Sequence, residues 1–336
     1  MDKKLRLNLY DGETVKWEND GKLFCLHVRM DSTPSDPRRD WDNITTMACW
    51  HRRYGLGDEI QDKEPEDFWQ RLVWENVPES EILEAAEMGK LNGIRIAKNP
   101  ENGDLADIYE TVQWRTVFGD GDPGESLEYE GVPRDAVAEY LLDDMTIGQC
   151  MTLMEPYAEW LPIWLYDHSG ITMSCGTRTG QYADRWDSGQ VGWIIMLKKT
   201  IMDEVGTEYV LDDEGEMIRV EHKHPDAPST WSYLTRPLTD ETWRKRAIDI
   251  MKADVEVYDQ YLTGDVYGFN LYSAEPVEEG EEPEWDEEDS CWGFFGSDVM
   301  ENGLEDHAGK GLREAVESGR YEQGRAVEHS RCWFTF

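Results

Sequence analysis

The chain has 336 residues, with 72 Asp and Glu against 33 Lys and Arg and a formal net charge of −39. That balance excludes the basic footprint which nucleic acid or an anionic membrane surface requires, and favours a basic partner or a strongly solvated surface. No apolar run approaches the roughly 20 residues of a membrane span, and the N-terminal MDKKLRLNLYDGE lacks the apolar region of a secretory signal.

Residues 1–30 alternate as strands do: Leu5, Leu7 and Leu9, a turn at Asp11-Gly12, then Leu23 to Met30. Pro34 and Pro37 punctuate a loop, and Ile44 to Tyr54 reads as a short helix or apolar turn ending at Gly55. Cys49-Trp50-His51 contains metal-ligand types. Adjacent residues on a helix point about 100° apart and no companion pair is near, so packing is the simpler reading.

From Lys63 the texture turns helical. Residues 65–77 open with Pro and acids, and Phe68, Leu72 and Val73 form an apolar stripe. Ser80 to Met88 continues as a second helix. Strand-like pieces follow at 93–97 and 108–118, then helices at 134–142 and 147–157. Gly119-Asp120-Gly121-Asp122 has the texture of a calcium loop without its remaining ligands, and reads as a plain loop.

The densest mixture of aromatic, Gly and polar residues runs from Trp160 to Met196. Leu161 to Tyr166 and Ile171 to Ser174 form a hairpin about Asp167-His168-Ser169-Gly170, and Gln190 to Met196 forms a further apolar strand after the turn Trp186 to Gly189. Leu197 to Val205 is a short helix stopped by Gly206. Residues 207–221 read as a hairpin about Asp212 to Gly215, with His222 and His224 in a polar loop. The clearest helix starts at Thr239 and ends at Gly264, with an apolar stripe from Trp243 to Leu262. Asp265 to Ser273 and Asp289 to Phe295 then form two strands. Between them Glu275 to Glu288 is acidic with no base, which predicts a mobile loop. A helix is expected over 303–318, and the apolar terminus Cys332 to Phe336 is expected to dock against something.

Six widely spaced cysteines with no C-x-x-C pair suggest reduced thiols rather than a disulfide framework. Fifteen Trp and fifteen Tyr exceed what a small core uses, which places some at interfaces.

For catalysis the best constellation is Asp167, His168 and Ser169 with Asp187 and Ser188, on neighbouring turns of one sheet. G-x-S-x-G, P-loop, H-E-x-x-H and G-x-G-x-x-G motifs are all lacking, and turns use Asp, Ser and Gly in any case. Charge itself is a second candidate. A chain of this mass exposes about 14,000 Å². At about one net charge per 360 Å² it falls roughly threefold short of the surface charge of duplex DNA. Only a local patch such as 275–289, or an oligomer gathering acids on one face, would imitate it; a halophile-like solvated surface is the plain alternative.

Three islands resemble a family of phage and prophage proteins. They are DPRRDWDNITTMACWHRRYGLGD (36–58), LYDHSGITMS with RWDSGQVGWI (165–194), and YDQYLTGDVYGFNLY with DSCWGFFG (258–272, 289–296). Size, acidity and islands together are similar to phage anti-defence proteins that disable the Gabija nuclease–helicase system. The resemblance implies a non-enzymatic inhibitor that oligomerises around the defence complex in the host cytoplasm and blocks its access to DNA. It carries over no site residue.

The expectation is therefore an α+β protein of small antiparallel sheets packed with helices. Its regions are 1–62, a variable middle domain 63–160, and 161–336 with the acidic loop. A homo-oligomer is expected, with a host protein as partner, no direct contact to nucleic acid or membrane, and no cofactor or metal. Partner contact is placed on Glu278, Glu279, Glu281, Glu282, Glu284, Trp285 and Asp286. The alternatives are a hydrolase using Asp167, His168 and Asp187, or an acidic DNA mimic.

Overall fold

The computed structural model describes residues 5–87, 137–143, 145–183, 186–224, 227–278 and 281–326. Among them the chain is α+β, with its strands in small antiparallel sheets. In order come β1 (Glu13–Asn19), β2 (Lys22–Met30), β3 (Thr46–Cys49), α1 (Pro65–Asn76), α2 (Glu79–Glu87), α3 (Val137–Asp143) and α4 (Ile147–Met154). Next are β4 (Ala158–Asp167), β5 (Ile171–Cys175), β6 (Ser188–Leu197), α5 (Lys198–Thr200), β7 (Thr207–Tyr209), β8 (Arg219–His224), β9 (Ala227–Tyr233) and β10 (Thr235–Pro237). The last are α6 (Trp243–Thr263), β11 (Val266–Ala274), β12 (Asp286–Phe295), α7 (Leu304–Ala308), α8 (Leu312–Ser318) and β13 (Glu322–Arg325).

The chain gathers into two units: residues 1–43, 163–190 and 252–336 in one, and 44–162 and 191–251 in the other. Neither is a continuous stretch, whereas the sequence divides at 62 and 160. Long-range strand pairing is the reason, since β2 pairs with β11. Much of the middle region 63–160 lies outside the described residues.

The first unit is built on a five-stranded antiparallel sheet of order β12-β11-β2-β1-β13. Phe24 to Val28 of β2 are all buried, which is the pattern of a central strand covered on both faces. Leu26 lies between Val15 of β1 and Leu271 of β11. Leu304, Ala308, Leu312 and Val316 of α7 and α8 pack into the same core as Trp17, Leu26 and Phe269. Burying so many apolar side chains, at roughly 1.5–3 kcal/mol each, is what offsets the entropy of ordering the sheet.

In the second unit α1 supplies Phe68, Trp69, Leu72 and Val73 to a core shared with α2, α3 and α4. Trp69 sits edge-on to Trp160 at 5.3 Å and Trp193 at 5.8 Å, and Trp50 edge-on to Phe68 and Trp193. Part of the Trp surplus therefore fills a core rather than an interface. Arg71 ties α1 to Asp62 at 2.7 Å, and α4 starts in a capping box in which Thr146 and Gln149 bond each other's backbone N–H.

Several elements form as read: the two helices after Lys63, the hairpin β4–β5, the strand β6, the helix α6 opened by Thr239, and the pair β11–β12. Others differ. Leu7 and Leu9 are buried, yet among the described residues their segment makes one isolated bridge, Asn8 to Asp298, and the first true strand is β1, in which buried Val15 and Trp17 alternate with Lys16 and Glu18. Residues 44–54 are not helical; Thr46–Cys49 is a strand on β6, since β-branched Thr and a partner strand outweigh the local helical texture. About Asp212 to Gly215 a short hairpin forms as read, with Leu211 bridged to Met217 and the Ile218 N–H donating to Val210 O, but the strands beyond it pair elsewhere, β7 with β10 and β8 with β9. His222 and His224 thus lie in strand β8 rather than a loop. The helix over 303–318 is two, because Gly309, Lys310 and Gly311 all take positive φ. The acidic loop ends earlier than read, since Asp286 to Asp289 continue β12 opposite Ser273 to Leu271. The strand pieces at 93–97 and 108–118, the turn 119–122 and the terminus 332–336 lie outside the described residues.

His27 is buried on β2 between Thr14 and Asn270. Burial first, then the charge of Arg29, push its pKa below the ordinary histidine value, with Asp11 opposing. The unfolded chain takes up a proton that the folded chain resists. Stability from this group is therefore complete above about pH 6.5 and is lost as pH falls through that value. The urea midpoint of the wild type, measured relative to a His27→Gln variant, is expected to fall between about pH 7 and pH 5. A difference that stays flat across this range would contradict the buried neutral imidazole.

Candidate partner-binding surface

The acidic residues singled out in the sequence lie in the first unit, on the hairpin of β11 and β12. Strand β12 is an edge of the five-stranded sheet, and the five residues Asp286 to Ser290 are exposed along it. Charged side chains on an edge keep other strands from adding to it, and they are free to meet a cationic surface. Glu287 accepts a hydrogen bond from Asn270 Nδ2 at 3.0 Å, and Glu288 accepts one from Ser273 Oγ at 2.5 Å. Both carboxylates are thus held in place by the neighbouring strand. An extended chain turns successive side chains to opposite faces, so Glu287 reaches Asn270 on one face and Glu288 reaches Ser273 on the other, with about 7 Å along the strand between carboxylates that share a face.

Glu278, Glu281, Glu282 and Glu284 are exposed in the connection, where the Glu281 N–H donates to Glu278 O at 3.0 Å. Asp286 opens the strand. Trp285 is half-buried, and the Lys16 ammonium sits 5.1 Å from its ring centroid. Glu279 lies outside the described residues. The structure thus joins Glu281 to Glu278 by a backbone hydrogen bond and sets Glu284 to Asp286 at the start of an ordered edge. Sequence reasoning missed Glu287 and Glu288 as part of that edge. The signal was the length of β11: a strand of nine residues calls for a partner longer than Asp289 to Phe295.

Beside this edge Trp292 crosses Gly268, where an added Cβ would lie 2.2 Å from the indole ring. The exposed Met30, Trp41 and Trp292 line one cleft of about 720 Å³ with Phe295.

The alternative catalytic residues occupy the β4–β5 turn and the start of β6. Asp167 and Asp187 meet through the backbone, Asp167 N–H donating to Asp187 O at 2.8 Å. Ser169 takes φ +59°, and its Oγ is 3.5 Å from His168 Nδ1, with both side chains exposed. That distance exceeds the 2.6–3.2 Å reach across which a base activates a hydroxyl. Ser188 Oγ instead donates to Tyr182 O at 2.8 Å and accepts from Arg178 Nη2 at 3.0 Å, the bonding of a turn.

Among the described residues no group of three or more His, Cys, Asp or Glu is arranged to hold a metal. His51 caps its own turn, accepting the Tyr54 N–H and stacking on the Tyr54 ring at 5.0 Å. His222 Nε2 bonds Ser232 Oγ at 2.6 Å across β8 and β9. Burial pushes the thiols of Cys25 and Cys150 up to about 12, which leaves them unreactive. No helix among the described residues is long and apolar enough to cross a membrane. No protein-family model, curated protein or solved structure matches the chain.

Proposed function

We propose that this protein is an acidic, non-catalytic inhibitor that binds a DNA-processing defence assembly of the nuclease–helicase kind and keeps DNA from it. The observation that carries the reading is the edge strand β12, where four consecutive exposed carboxylates, Asp286 to Asp289, gather negative charge along the edge of the sheet. A groove evolved for a phosphate backbone would accept that row. The excess of acid elsewhere adds long-range attraction to the same basic partner. The phage-like islands at 36–58, 165–194 and 258–272 with 289–296 agree in direction, because a phage protein gains from silencing such an assembly.

The test begins with affinity capture from a bacterial host and identification of the nuclease or helicase retained. Glu278, Glu281, Glu282, Glu284, Glu287 and Glu288 are then changed to Gln, and Asp286 and Asp289 to Asn, in one variant. Its folding stability should stay within about 0.5 kcal/mol, because the groups are exposed. Its affinity should fall about tenfold, with a shallower dependence on salt. Unchanged affinity and unchanged salt dependence would remove the hairpin from the interface.

The hydrolase reading has its own check. Asp187→Asn and His168→Ala are expected to retain inhibition at near wild-type level. Loss of inhibition in either folded variant, with partner binding intact, would establish chemistry at the β4–β5 turn instead.

A further inference from the structure

A cavity of about 790 Å³ opens in the first unit between β1, α8, the segment before β13 and the end of the acidic connection. No stretch of sequence announces it, since its walls come from residues 16–24, 283–285 and 311–322. Four aromatic rings line it, two of them, Trp17 and Phe24, packed together. Trp17 is held by its Nε1–H donating to Lys310 O at 2.7 Å and by stacking on Phe24 at 5.6 Å. Trp285 and Tyr321, both half-buried, supply the others. Around the rings stand four carboxylates, Glu18, Asp20, Glu314 and Glu322, all exposed. Against them are two cations, Lys16 and Arg320, of which Lys16 lies opposite Glu322 in the β1–β13 register. The lining is short of positive charge.

Rings within a ring of carboxylates are the chemistry that takes a cationic side chain: the π-faces attract the charge and the acids neutralise it. The wall already works this way internally, with the Lys16 ammonium 5.1 Å from the Trp285 centroid. Burial lowers the Lys16 pKa, so this part of the cavity is partly desolvated, where cation–π attraction is stronger.

We infer that the cavity is a docking site for an arginine- or lysine-bearing segment of a partner protein, its cationic side chain entering between Trp285 and Tyr321. The inference rests on the proposed function only for the partner's being a basic protein. It adds a second point of contact to the β12 edge, and Trp285 lies one residue from the start of that strand.

The test uses the full chain and needs no host complex. The probe is a short glycine-flanked peptide with two arginines, and the control is the same peptide with neutral citrulline in their place. The tryptophan indole N–H signals are followed by NMR. The arginine peptide should shift the Trp17 and Trp285 signals and leave Trp186, which is 94% exposed, in place. Citrulline should move none of them. Trp285→Ala should weaken binding about tenfold. Should that variant be poorly folded, Glu314→Gln with Glu18→Gln, both at exposed positions, should weaken it about threefold. Shifts spread evenly over all tryptophans, binding unaffected by these changes, or tighter binding of spermidine than of the peptide would each overturn the inference. Peptide binding without any captured defence complex would retain the cavity and sink the proposed function. Capture with no peptide binding would do the reverse.

Discussion

Gly192→Ala is expected to unravel the β3–β6 pair. Gly192 lies opposite Cys49, and a methyl group there would sit 1.9 Å from Ala48 O and 2.9 Å from the Cys49 Cα. These are backbone atoms of a paired strand, so no rotamer change relieves the overlap. Overpacking a core by one methyl costs about 1–3 kcal/mol, and a collision with backbone belongs at or above the top of that range. Met47, Ala48, Ile194 and Ile195, all buried, would separate with the strands. Gly189→Ala in the same strand is the control, because nothing lies within 4 Å of its added Cβ. Amide exchange at 46–49 and 191–195 should accelerate strongly in the first variant and hardly change in the second. Equal protection in both would mean the strands do not approach as described.

Arg38→Met is the second large effect. The Arg38 side chain is only 1% exposed, with Nη1 3.1 Å from Asn43 Oδ1 and 3.4 Å from Asp254 Oδ2. Removing the guanidinium leaves the Asp254 carboxylate without this countercharge, and breaking a buried pair from one side costs about 3–5 kcal/mol. Asp254 keeps 26% exposure and can still reach water, which puts the expected loss near 3 kcal/mol. Adding Asp254→Leu should recover much of it, since an apolar pair of similar volume is often neutral. The loop would loosen too. Asn43 Nδ2 donates to Pro37 O and Trp41 O, and Asp36 and Asp40 bond the backbone between them. Denaturant midpoints of the two single variants and the double variant give the coupling. Strict additivity would show that Arg38 and Asp254 do not act as a pair.

Much of this was open to reading from local pattern. Thr239 ahead of an apolar stripe, Pro65 before two acids, and the Asp-His-Ser-Gly turn each carry their own physics within a few residues, and α6, α1 and the β4–β5 hairpin formed there. What the pattern hid depended on distant partners. Residues 46–49 become a strand because Gly192 lets β6 come close, and β1 is held between β2 and a strand more than 300 positions away. The edge carried by Asp286 to Asp289 was concealed because acidic composition argues for a loop, while a nine-residue β11 extends its partner into the acids. The cavity was illegible for the same reason, since Lys16 and Glu322 face one another only through strand register. Gly192 was a second signal present and unused, after the length of β11: a glycine amid Val, Trp and Ile in a strand marks a close backbone approach.

The pairing of β2 with β11 also constrains how the chain can be made. Met30 meets Tyr267 and Leu23 meets Ala274, some 240 residues downstream. A ribosome adding about 5–20 residues per second needs roughly 10–50 s to supply that strand after β2 emerges. Throughout that interval β1 and β2 lack the neighbours that flank them in the finished sheet. The core of the first unit must wait for the last quarter of the chain, whereas α1 meets α4 about 80 residues on. The second unit can therefore begin to fold during synthesis, while the sheet that carries the acidic edge closes only after β11 has emerged.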